Sequence, residues 1–199
     1  MGPSPTSSRM HLTTLLIPTL SNQLHALSGW LDKAEAFATD RGQNPDGLLT
    51  LRLAPDMFPL TTQLRFLAFQ AHEPVYRLRG EAVPEAVLEI RQEGRDGGER
   101  PGAWAEARVR VADAASFLAT VGLDELDAAA DKPIAHELPT GMIFDMTGEQ
   151  YVRDWALPQV AFHQMIAYAI LRHAGVPLGK VDYVPHMFAY LRPGTAPTA

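Results

Sequence analysis

The chain has 199 residues, 46% of them apolar, with 23 acidic against 17 basic side chains and a formal net charge of −6. It contains no cysteine, which excludes disulfides, thiolate nucleophiles and Cys-based zinc sites and fits a reducing, cytoplasmic setting. The acidic balance, with no Lys/Arg cluster beyond a local pair, argues against a nucleic-acid partner or an anionic membrane surface.

No apolar run reaches the roughly 18–20 residues needed to span a bilayer, so no membrane partner is expected. Residues 1–10, MGPSPTSSRM, lack the apolar stretch of a signal peptide and read as a flexible leader. Gly2 and Thr6 have myristoylation spacing, but Pro3 directly after the glycine argues against that modification.

The first predicted element follows this leader. Residues 11–40 read as a helix, with Leu20, Leu24, Leu27 and Leu31 on one stripe and Pro18 expected to kink or start it. His11 and His25 lie off that stripe, as surface residues would. Asn44-Pro45-Asp46-Gly47 signals a turn. A second helix is expected over 59–79, its core stripe being Leu60, Leu64, Leu67, Ala71, Val75 and Leu78, with Asp56 as a candidate cap. Pro74 inside it should strand the carbonyl of Gln70, next to His72.

Residues 80–103, rich in Gly, Arg and Glu, read as a mobile surface excursion with a short helix before them. A third helix is expected over 104–121 and a short one over 123–130. Pro139-Thr140-Gly141 between apolar runs predicts a small hairpin within 133–147. The last helix carries Gln159, His163, Ile166 and Ile170 on one stripe, with Pro158 freeing the carbonyl of Asp154. It should stop at Gly175 and Pro177. The tail LRPGTAPTA, from 191 on, is expected to be disordered.

Several motifs fail on inspection. His136-Glu137-Leu138-Pro139-Thr140 starts like a zinc-protease helix but lacks the second histidine and contains a proline. The sequence GVPLGK at 175–180 lacks the spacing and the hydroxyl of a phosphate loop. No GxSxG elbow or dinucleotide fingerprint is present.

The strings LDKAEAFATDRG (31–42), RLAPDMFPLTTQL (52–64) and LPQVAFHQMIAYAILRHAGVPLGKVDY (157–183), together with His72, resemble a domain-of-unknown-function family grouped with the DinB/YfiT-like helical bundles. The resemblance implies an all-α fold: a DinB-like four-helix bundle over 11–183, often a homodimer, followed by a C-terminal extension over 184–199. The segment 92–102 looks like an insertion relative to that family. Members of the wider superfamily hold a divalent metal (Zn, Ni or Fe) through one histidine of the second helix and an HxxxH pair on the last. His72 and His163 match two of these metal positions, while the pair's partner position holds Ala167 on one side and Gln159 on the other.

The sequence therefore points to a small-molecule ligand in a pocket between helices, with His72 and His163 as catalytic or metal-ligating groups. Tyr76 would be a hydroxyl donor, and Gln159, Phe69, Ile166 and Asp56 would line the pocket. Without a metal, the two imidazoles would serve as general acid and base. A non-catalytic binding module is the alternative of another class. The structural alternative has each histidine bonded to a carbonyl freed by Pro74 or Pro158.

Overall fold

The computed structural model describes residues 11–195. The expected leader at 1–10 and residues 196–199 of the expected tail lie outside the described residues.

Helix α1 spans Leu12–Thr39, and its leucines 20, 24, 27 and 31 are all buried. It begins six residues before Pro18, which sits within the helix on an exposed face. There the carbonyl that a proline leaves without an amide can bond to water. No neighbouring side chain caps its start. Instead Asp127, far along the chain, accepts the Thr13 amide at 2.9 Å and the Thr13 hydroxyl at 2.8 Å. The exposed His11 ring lies 2.6 Å from the other carboxylate oxygen. The expected turn at Asn44 is the entry to a 3-10 helix, Pro45–Thr50.

Helix α2, Leu60–Arg79, is the centre of the molecule, and its expected leucine and valine stripe is buried. It continues through Pro74 and ends at Gly80, whose φ of +75° is the left-handed cap a glycine accepts most readily. Asp56 does not cap it: the N-cap position is Pro59, and Asp56 is exposed in the preceding turn.

The segment 80–103 corrects the sequence reading. It contains a twelve-residue helix, α3 (Glu85–Asp96), with Val87, Ile90 and Gly94 buried against α2. A Cβ at Gly94 would stand 2.7 Å from the Phe66 ring. Close approach thus needs a glycine exactly where the apolar pattern would otherwise show a side chain.

Helix α4 covers Trp104–Leu118, and its start is tied to the 3-10 turn because the Trp104 amide donates to Asp46 at 2.7 Å. Within the expected 123–130 helix only Asp127–Ala129 is helical, as a 3-10 turn. Strands β1 (Pro133–Glu137) and β2 (Ile143–Thr147) form the expected antiparallel hairpin, with His136 opposite Phe144. Thr147 and Gln150 cap each other across the first turn of α5, Gly148–Gln150.

A π-helical stretch, Tyr151–Ala156, joins α5 to α6, Leu157–His173. Its wide turn is seen in the Leu157 amide, which donates to Val152 five residues back. Pro158 therefore falls in the first turn of α6, where a missing amide is tolerated. Gly175, at φ +95°, ends the helix as expected. Beyond it, α7 (Lys180–Tyr183) folds back on α1. Trp30 donates to the Asp182 carbonyl at 2.7 Å and stacks on Tyr183 at 5.6 Å. Within the C-terminal extension, Pro185–Tyr190 is a 3-10 helix. The architecture is all-α, with α1, α2, α4 and α6 as the main packed helices and a single small hairpin among the described residues. No described helix is long and apolar enough to cross a membrane.

Candidate functional site

The buried face of α6 consists of Val160, His163, Gln164, Ala167, Ile170 and Leu171. It is turned from the expected stripe, so Gln159 and Ile166 are only half-buried and flank it. His163 is 9% exposed, and its Nδ1 lies 2.8 Å from Gln63 Oε1. The Gln63 amide is itself pinned, because its Nε2 donates to the Phe58 carbonyl at 3.3 Å. Its oxygen is thereby presented to the ring, and an amide oxygen only accepts. The proton of the neutral imidazole consequently sits on Nδ1, leaving Nε2 as a lone pair with no hydrogen-bond partner among the described residues. Phe66 and Phe162 stand edge-on to the ring at 5.1 and 5.2 Å, and Phe58 stands edge-on to Phe66 at 5.8 Å. Phe58 and Phe162 are exposed there, giving the imidazole an apolar rim. Burial lowers the His163 pKa to about 4, so the ring is neutral at pH 7.

His72 is built differently. Its Nδ1 lies 2.8 Å from the Ala68 carbonyl, one turn back, rather than at the Gln70 carbonyl beside Pro74. Its ring stacks on Phe117 of α4 at 4.4 Å, and Tyr76 stacks on the same Phe117 at 5.3 Å. Burial lowers its pKa, opposed by the bond to Ala68 and by the charge of Asp113.

The two histidines therefore do not share a hollow. Gln63, which holds His163, and His72 are nine positions apart on α2, about 13 Å along the axis and roughly 180° around it. Tyr76 lies with His72. Phe69 is buried under the Arg91 guanidinium, 5.2 Å from its ring, and Asp56 is remote in its exposed turn. Neither proline-freed carbonyl holds a histidine.

The donors implied by the resemblance do not fit a divalent metal. His72 and His163 face different neighbours, Ala167 supplies no ligand, and among the described residues no three His, Asp or Glu side chains group closely enough to hold an ion.

A further cluster went unread in the sequence. His136 of β1 is 3% exposed, neither ring nitrogen has a hydrogen-bond partner among the described residues, and it leans on Trp155 at 4.5 Å and Tyr151 at 5.4 Å. The Tyr151 hydroxyl is fully buried within reach of Glu73 and Arg77, and burial raises its pKa well above the usual range. Burial, and then the Arg77 charge, lower the His136 pKa to about 4. The only sequence cue was an apolar-flanked histidine in a predicted strand.

These two histidines give the fold a pH dependence. Each has a folded pKa near 4 against an unfolded value of 6.5, so below pH 6.5 the unfolded chain takes up protons that the folded chain refuses. Stability is full above pH 6.5 and falls as the pH drops toward 4. Urea midpoints should decline from pH 7 to pH 5, and His136→Phe should flatten that decline. An unchanged slope in the variant would refute the assignment.

Comparison with known proteins agrees with this architecture. No curated protein matches the sequence. A crystal structure of a DinB family member from Shewanella denitrificans superposes with a TM-score of 0.71 at 32% identity, covering 94% of this chain and 96% of that one. The family model described as domain of unknown function DUF1993 matches residues 12–184. Nearly the whole bundle lies within that match, and the chain belongs to the DUF1993 family of DinB-like proteins.

Proposed function

We propose that this DinB-like protein handles a small molecule at His163 and does so without a metal-ligand triad. The neutral imidazole offers Nε2 to an O–H or N–H group of a largely apolar ligand, whose body rests against Phe58, Phe66 and Phe162. The observation that carries this reading is the Phe58 carbonyl–Gln63–His163 chain, which fixes both ring orientation and tautomer. An imidazole with a pKa of about 4 is a weak base at neutral pH, so accepting a ligand hydrogen bond suits it better than taking a proton in catalysis. His72, with Tyr76, is a separate polar point on the α4 side and takes no part in the same event.

Long-range ¹⁵N–¹H correlation spectra of histidine-labelled protein provide the test. At pH 7 His163 should appear as the Nδ1–H tautomer, and Gln63→Leu should release that preference. In a screen of apolar alcohols and amides, hits should shift the His163 Nε2 resonance in wild type and in His72→Ala, and should lose affinity by about tenfold in His163→Ala. A charged ring at pH 7, or hits indifferent to His163, would overturn the proposal.

A further inference from the structure

A cleft of about 780 Å³ opens between α3 and α4, away from both histidines. That volume lies within the usual range for small-ligand sites, roughly 300–1,000 Å³. At its base is Arg65 of α2, only 3% exposed. Its Nε donates to Glu93 Oε2 at 3.2 Å and its Nη1 to the Thr61 hydroxyl. Arg110 of α4 binds the same Glu93, through Nε at 3.2 Å and through Nη2. One carboxylate thus serves two guanidiniums, and the trio keeps one positive charge.

Arg65 Nη2 has no hydrogen-bond acceptor among the described residues, and it faces Gly102 of the loop before α4. The point where a Cβ of residue 102 would stand is 2.6 Å from that nitrogen and 2.8 Å from Glu106 Oε2. The glycine, at φ +70°, puts only a hydrogen there, so no side chain separates the two groups. A cation and a carboxylate therefore flank one bare notch, without a hydrogen bond between them. Glu106 Oε2 accepts the Ala103 amide at 3.0 Å, and Oε1 has no hydrogen-bond partner among the described residues. Above the notch, Ala105 and the 55%-exposed Val109 make an apolar wall.

We infer that this cleft binds a small zwitterion of the amino-acid type, its carboxylate on Arg65 Nη2, its ammonium on Glu106 and its side chain against Ala105 and Val109. A guanidinium stays charged at every relevant pH, so the buried Arg65 edge selects an anionic group, and the carboxylate across the notch selects an adjacent cation. The inference stands independently of the His163 reading, since the two sites share no ligand-contacting side chain.

The test follows the Gly102 amide resonance of the full-length protein during titration. L-Leucine, L-methionine and L-phenylalanine are the zwitterionic probes, and 4-methylpentanoate and 3-methylbutylamine are the single-charge counterparts of leucine. At least one amino acid should produce a saturable shift, with leucine binding about tenfold or more tighter than either counterpart. Glu106→Gln keeps an oxygen for the Ala103 amide and lies on the surface, so the fold should persist. In it, leucine should weaken to the level of 4-methylpentanoate. No shift with any of the three amino acids, equal binding of leucine and 4-methylpentanoate, or unchanged leucine binding in Glu106→Gln would each overturn the inference.

Discussion

Replacing Arg77 with methionine should cost about 3–5 kcal/mol, because it strands a buried carboxylate. The Glu73 side chain is only 4% exposed, and Arg77 Nε and Nη2 both donate to its Oε1, at 2.9 and 2.8 Å. Methionine keeps most of the side-chain volume but leaves Glu73 beside Tyr151 without its hydrogen-bonded partner, with only Arg91 nearby as a counter-charge that makes no hydrogen bond to it. The double variant Arg77→Met/Glu73→Gln should recover much of the loss, since the neutral amide has a smaller desolvation cost. Urea denaturation of the two variants provides the cycle. If the double variant were as unstable as Arg77→Met, the cost would lie in lost packing of the arginine rather than in the orphaned charge.

Gly148→Ala should be comparably damaging for a steric reason. A Cβ there would stand 2.1 Å from the Ala129 carbonyl oxygen, 2.9 Å from its carbon and 3.2 Å from a Leu78 methyl. The first two contacts are backbone, so no side-chain rotation relieves them. The Gly148 amide also donates to Lys132 at 3.0 Å, which fixes where the hairpin rejoins the bundle. Overpacking of about 1–3 kcal/mol is common where side chains can yield, and here the main chain must move, so about 3 kcal/mol or more is expected. Gly29→Ala is the control. Gly29 lies mid-helix in α1 with nothing within 4 Å of a Cβ, and the change should stabilise by about 0.5–1 kcal/mol. Equal midpoints for the two variants would refute the steric account.

What the sequence disclosed follows from how far each signal reaches. The leucines of α1 and the Leu60–Leu78 stripe of α2 repeat at helical spacing and are buried as that spacing demands. The hairpin was legible from its turn residues. Helix α3 was not, because its buried face is Val87, Ile90 and Gly94, and a glycine used for close approach to Phe66 resembles a loop residue. The α6 stripe was misphased for a related reason. The buried face includes Ala167 and Gln164, whereas the strongly apolar Phe162 and Met165 are exposed. His163 was identified correctly as a buried polar group, but its partner Gln63 is 100 positions away, a pairing that no local pattern encodes. The same holds for the Arg65–Gly102–Glu106 notch, which exists only once α3 and α4 are in place.

The cap on α1 bears on the order in which the molecule can assemble. The first turn of that helix closes on Asp127, and Trp30 is anchored by Asp182. Both anchors leave the ribosome well after the leucine stripe they secure. During synthesis these two anchoring contacts can close only after residues 127 and 182 have emerged, so this helix is tied down after its leucine stripe has been made.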